Sequence, residues 1–171
     1  MENGNGGITG GDRSGGEPGG APALDVSRPA AELKDRELDA LLAEWIGWTI
    51  WRNPLSARKS AVWAYKPGTD VSASPTMGAA PAATLKAQHV PGSIPRYSST
   101  HDSAAALRAH VRSLGLHAVY AYTGAVFAVT ASSEGTTEEA EFAMMDATPR
   151  QQAEAAYEAF VRTPVPAAPS T

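Results

Sequence analysis

The sixteen residues from Glu37 to Arg52 limit what this chain can fold into more than any other segment. Leu38, Leu41, Leu42, Trp45 and Ile46 recur at i, i+3, i+4, i+7 and i+8, the spacing that puts them on one face of an α-helix. Gly47 follows, a residue that takes positive φ without a steric penalty and so ends helices. Trp48-Thr49-Ile50-Trp51 then alternates, so Trp48 and Ile50 face one side of a strand while Thr49 and Trp51 face the other. A helix, its stop and a strand in so short a span place a helix directly beside a sheet.

The remaining punctuation extends this pattern. Ser27 caps and Pro29 opens a first helix reaching to Ile46. Ser60 to Tyr65 reads as a second strand, and Pro67-Gly68 ends it. The stretch from 67 to 95 is rich in Pro, Ala, Ser and Gly with little periodicity, a loop long enough to be functional or mobile. A second helix is expected from about Ser103 to Leu114, capped near Thr100 or Asp102, with Leu107, Val111 and Leu114 inward and Gly115 as the stop. Leu116–Tyr122 and Ala125–Ser132 flank Thr123-Gly124 and read as a β-hairpin. Ala140–Met145 reads as another strand. Thr148-Pro149-Arg150-Gln151 places a cap, a first-turn proline and a capping-box glutamine before a last helix striped by Ala153, Ala156, Tyr157, Phe160 and Val161. The expected class is α+β: a mostly antiparallel sheet of about five strands covered by three helices, in the order α-β-β-α-β-β-β-α.

Composition sets the limits. The chain has 171 residues, which suits one domain. Residues 1–27 hold nine of the sixteen glycines and too little apolar surface to offset ordering entropy, so they read as a disordered tail. The Pro/Ala-rich residues 164–171 read the same way, leaving a single domain over 28–163. With no cysteine, disulfides, thiolate nucleophiles and cysteine zinc sites are excluded. No apolar run approaches the roughly 20 residues of a membrane span. The N-terminal residues lack the basic start and apolar centre of a signal peptide. A cytoplasmic protein is expected.

Three segments resemble one family. Leu38-Asp39-Ala40-Leu41 leading to Gly47-Trp48 is similar to the N-terminal signature of the phage ABA sandwich domain. Ile94-Pro95-Arg96-Tyr97-Ser98-Ser99 resembles that family's Pro-x-Tyr-Ser-Thr segment, and Ala147-Thr148-Pro149 resembles the start of its last helix. The three occur in the family's order and cover about residues 33–162. The resemblance implies a three-layer α/β/α sandwich encoded by a bacteriophage or prophage. It implies no activity and carries over no catalytic residues.

Candidate chemistry is sparse. His101 and Asp102 adjoin Ser98-Ser99-Thr100, but neighbouring side chains in a turn point apart, and helix capping explains these residues without a triad. His89, His101, His110 and His117 lack the spacing of a metal motif, and no metal or cofactor is expected. Glu138, Glu139 and Glu141 read as a solvated strand face. Charge is uneven: 45–101 carries six bases and one acid, whereas 1–44 carries nine acids and four bases, and 130–171 seven acids and two bases. The basic residues of that middle segment gather around tryptophans. Trp51, Arg52, Arg58, Lys59, Trp63 and Lys66 are the candidate ligand-binding set, because aromatic faces beside cations suit nucleotide-like anions through stacking and phosphate neutralisation. The expected function is a non-catalytic phage accessory module binding a small anionic ligand or a host protein. The alternatives are a small hydrolase or transferase using the Tyr97–Asp102 loop, and a homo-oligomeric assembly factor.

Overall fold

The computed structural model describes residues 28–52, 62–70, 78–131 and 145–162. It is an α+β fold with four α-helices and a small antiparallel sheet among these residues.

The first helix, α1, spans Asp35–Ile46, and starts later than Ser27 and Pro29 imply. Ala30–Glu32 instead form a 3-10 turn, and Leu33 is extended at φ -82, ψ 140, which separates the two elements. That break lets Leu33 turn into the core, where it is buried. Lys34 is the cap residue: its N–H donates to Glu37 Oε2 at 3.3 Å, satisfying a donor that the helix cannot. Gly47 ends α1 as expected, with φ 103 and ψ 15. Leu38, Leu41 and Leu42 are buried.

The strand β1, Thr49–Arg52, lies between β2, Val62–Tyr65, and β3, Gly78–Ala79. Both pairings are antiparallel, with Trp51 opposite Trp63 on one side and opposite Ala79 on the other. Ile50 is buried and carries the sheet into the core, while Trp48 packs at the edge of the same cluster. β3 lies inside the stretch expected to be a loop. Two 3-10 turns follow it, Ala82–Thr84 and Ala87–His89, and Ala80, Ala82 and Leu85 are buried. Carboxylates of α1 hold this region down: Glu44 Oε2 accepts the Ala82 N–H at 3.2 Å and Glu37 Oε1 the Ala87 N–H at 3.4 Å. Burial raises the Glu44 pKa, and the Ala82 N–H opposes that.

The expected hairpin from Leu116 to Ser132 is not formed. A helix takes its place. α2 spans His101–Ser113, capped by Thr100, whose hydroxyl accepts the Ser103 N–H at 3.3 Å. Gly115, at φ 97, turns the chain directly into α3, Leu116–Thr130. Ala118, Tyr122 and Val126 are its buried residues, a spacing of four that belongs to a helix. Thr123-Gly124 sits in mid-helix, where the Thr123 hydroxyl donates to the Val119 carbonyl at 2.9 Å. β-Branched and aromatic residues around a Thr-Gly pair mimic a hairpin, but an uninterrupted apolar run serves a packed helix equally well. The described residues therefore hold three strands rather than five. The strand expected at 140–145 lies outside them except for Met145.

The last helix, α4, spans Pro149–Ala156 and passes into a π-helical turn over Tyr157–Arg162. Its capping box forms as expected: the Gln151 N–H donates to Thr148 Oγ1 at 3.2 Å, and the Thr148 N–H donates to Gln151 Oε1 at 2.9 Å. α4 packs against α1, α2 and α3. Its Arg150 guanidinium also reaches the start of the fold, donating to the Ala30 and Leu33 carbonyls at 2.9 and 2.8 Å and pairing with Asp35 at 2.8 Å. At the other end Trp45 stacks on Phe160 at 4.9 Å and meets the His110 ring edge-on at 4.8 Å.

α3 is apolar on all sides. Leu116 and Tyr120 are each 74% exposed and Phe127 is 42% exposed. Among the described residues, no helix is long and apolar enough to cross a membrane.

Candidate functional site

The described residues of the tryptophan hairpin form a face. Trp51 and Trp63 are directly opposed on neighbouring strands, so both rings lie on one side of the sheet, and Trp63 is 44% exposed. Arg52 is exposed but, one residue on from Trp51, it points to the other side. Lys66 is exposed just beyond β2, while Arg58 and Lys59 lie outside the described residues. The Trp51 indole N–H is buried and has no hydrogen-bond partner among the described residues. None of Trp51, Arg52, Trp63 or Lys66 lines either of the two cavities described below.

The Tyr97–Asp102 loop directs most of its polar groups to the fold. Tyr97 is buried, its pKa pushed up to about 12 by burial, and Trp48 hydrogen-bonds to its side chain. The Ser98 hydroxyl meets the Asp35 carbonyl and the Ser99 hydroxyl at 3.4 Å, and its N–H donates to Asp39. Thr100 caps α2. His101 and Asp102 open that helix in exposed positions. These contacts bring no histidine to the hydroxyls of Ser98, Ser99 or Thr100.

A different set of side chains does converge. Arg108 from α2, Tyr122 and Val126 from α3, Gln152 from α4 and Ala147 just before it line an open cavity of about 500 Å³. His101, Thr123, Met145 and Asp146 form the exposed part of its lining. Each inner group is placed by its helix. Tyr122 is one of the three buried residues of α3 and is only 8% exposed. Arg108 follows Leu107, which is fully buried, so the guanidinium stem leaves α2 at the rim of the core. Gln152 is 9% exposed and fixed at both ends of its amide: its nitrogen donates to the Ala147 carbonyl at 2.6 Å and its oxygen accepts from Arg108 Nη1.

Two features of this cavity stand out. The Tyr122 hydroxyl is buried and unpartnered among the described residues, although a buried phenol ordinarily finds a partner. Arg108 uses one nitrogen on Gln152, and no other hydrogen bond of its guanidinium is formed with the described residues. Burial pushes the Tyr122 pKa up to about 12, and the Arg108 charge acts in the opposite direction. The phenol is therefore a neutral O–H donor at pH 7, next to a permanent cation. A neutral donor and a guanidinium are groups whose hydrogen bonds suit an anionic acceptor.

The second cavity, about 530 Å³, lies between α1 and the 3-10 turns, with Glu37 in its wall. Glu37 already accepts two backbone N–H groups and lies 3.9 Å from Arg28, so its acceptors are engaged. Among the described residues no three His, Asp or Glu side chains gather to hold a metal ion. Glu138, Glu139 and Glu141 lie outside those residues. The sequence carried little signal for the Arg108–Tyr122–Gln152 group, because its members come from three helices and one of these reads as a hairpin. Searches of family models, curated proteins and solved structures find no match to this chain.

Proposed function

We propose that this protein is a non-catalytic binding module for a small anionic ligand, held between Arg108 and Tyr122. The supporting observation is the Tyr122 hydroxyl: a buried donor, unpartnered among the described residues, in the wall of a 500 Å³ cavity that also receives a guanidinium. Leaving such a group unsatisfied costs stability, and an acceptor brought in by a ligand recovers it. The binding function expected from the sequence is thereby kept and moved from the tryptophan hairpin to the helical side. The resemblance to the phage ABA sandwich family extends the proposal to a phage or prophage accessory protein acting in a host cytoplasm. Its three-layer sandwich belongs to the same proposal.

Thermal shift with a panel of small carboxylates and phosphates tests the reading, with Arg108→Met as the control. A ligand-dependent rise that Arg108→Met removes is the expected result. No rise with any anion would refute it.

The exposed face of α3 favours a second reading, self-association. A helix apolar all round is ordinarily covered. Gly115 to Ala131 contains no Asp, Glu, Lys or Arg, so a second copy meets no like-charge repulsion there. Gly124 has open space around it and permits close approach between Tyr120 and Phe127. Light scattering after size exclusion should give a dimer mass that Tyr120→Glu returns to monomer, whereas a wild-type monomer at tens of micromolar excludes this reading.

A further inference from the structure

The described lining of the cavity carries both signs of charge, Arg108 and the exposed Asp146. Its inner wall consists of groups that are mostly buried, Tyr122 and Gln152, with the Arg108 guanidinium beside them. Its exposed part carries the Asp146 carboxylate. Among the described lining residues, the Asp and Arg side chains are one acid, Asp146, and one base, Arg108. A phosphate bearing two negative charges would meet one cation and one like charge in partly desolvated space, an unfavourable balance. A ligand with one negative and one positive end matches both. Val126, Met145 and Ala147 supply apolar wall for a body connecting them.

From this polarity we infer that the ligand is a zwitterionic amino acid or short peptide with an apolar side chain. Its carboxylate lies inward, on the Arg108 guanidinium and the Tyr122 hydroxyl, and its ammonium outward, toward Asp146. The inward end is the more strongly held, because charge-assisted hydrogen bonds strengthen with burial, whereas an exposed ion pair contributes little. A cavity of 500 Å³ leaves room for more than a single residue. The inference rests on the anion-binding reading above and narrows it.

Calorimetric titration of the full chain with L-leucine and leucyl-leucine distinguishes the two sources of this chemistry. Each is compared with its C-terminal amide, with its N-acetyl derivative and with inorganic phosphate. At least one zwitterion should bind. Its amide should bind at least about thirtyfold more weakly, the loss of a charge-assisted pair. Its N-acetyl form should bind roughly threefold more weakly, and that difference should vanish in Asp146→Asn. Asp146 is exposed, so this variant tests the contact without disturbing the core. If the N-acetyl form binds as tightly as its parent, or phosphate binds more tightly, the zwitterion inference is overturned while anion binding stands. If neither zwitterions, N-acetyl forms nor phosphate bind, both are overturned.

Discussion

Asp39 and Ser98, far apart in sequence, are joined by a buried hydrogen bond: the Ser98 N–H donates to Asp39 Oδ1 at 2.8 Å. The other carboxylate oxygen pairs with Arg36 at 2.9 Å. Arg36 in turn donates to the Pro91 and Ile94 carbonyls at 2.7 and 3.2 Å. One turn of α1 therefore fixes the entire approach to α2. The Leu-Asp-Ala and Pro-Arg-Tyr-Ser segments, separate in sequence, form one latch.

Replacing Asp39 with alanine leaves the Ser98 N–H without its acceptor and the Arg36 guanidinium without its partner. A loss of about 3 kcal/mol in urea unfolding is expected, as for a broken buried pair. Burial raises the Asp39 pKa above 3.8 despite Arg36 and the Ser98 N–H. In the window above 3.8 the folded state therefore binds more protons than the unfolded state, and this group's contribution to stability falls as pH rises. Wild-type stability relative to Asp39→Asn should accordingly increase as pH is lowered through that window. A constant difference would show that Asp39 does not titrate as its burial requires.

Gly47 gives a simpler test. At φ 103 it lies where an L side chain is strained. A Cβ there would meet Pro67 at 3.7 Å, an ordinary contact, so the cost arises in the backbone alone. Gly47→Ala should destabilise by about 1–2 kcal/mol. Gly47→Asn should lose less, since asparagine tolerates this conformation. Equal losses in chemical denaturation would contradict that assignment.

These two positions show which parts of the fold were legible. The stop at Gly47, the caps at Thr100 and Thr148 and the inward face of α1 are local chemistry, and each stands where its residues imply. Asp39 reads only as a polar residue off the apolar stripe, yet it is fully buried, because its partner Ser98 is supplied by a distant loop. α3 failed for another reason. Its residues fit a strand or a helix equally, and Gly115 together with packing on α2 and α4 decided between them. The candidate site was hidden by the same element: with Tyr122 assigned to a hairpin, nothing brings it to Arg108 and Gln152.

His110 should make stability depend on pH near neutrality. It is half-buried against Trp45, and burial lowers its pKa below 6.5. Below that value the unfolded state binds more protons, so the contribution is fully present above 6.5 and is lost as pH falls. His110→Phe keeps an aromatic edge toward Trp45 and removes the titration. Melting temperatures at pH 7.5 and 5.5 should differ less in the variant than in the wild type. An unchanged difference would place the dependence on other groups.

Tyr122→Phe separates stability from binding, since the hydroxyl it removes has no partner among the described residues. Deleting an unsatisfied buried donor should leave the unliganded protein as stable as before, or more stable by up to about 1 kcal/mol. The same change removes one of the two donors proposed for the ligand carboxylate, so affinity should fall about tenfold. Few substitutions in a core are expected to act in these opposite directions. Thermal melts without ligand and titrations with it, on the same preparation, measure both effects. A destabilised variant with unchanged affinity would mean that the hydroxyl has a structural partner and that the anion is held by Arg108 alone.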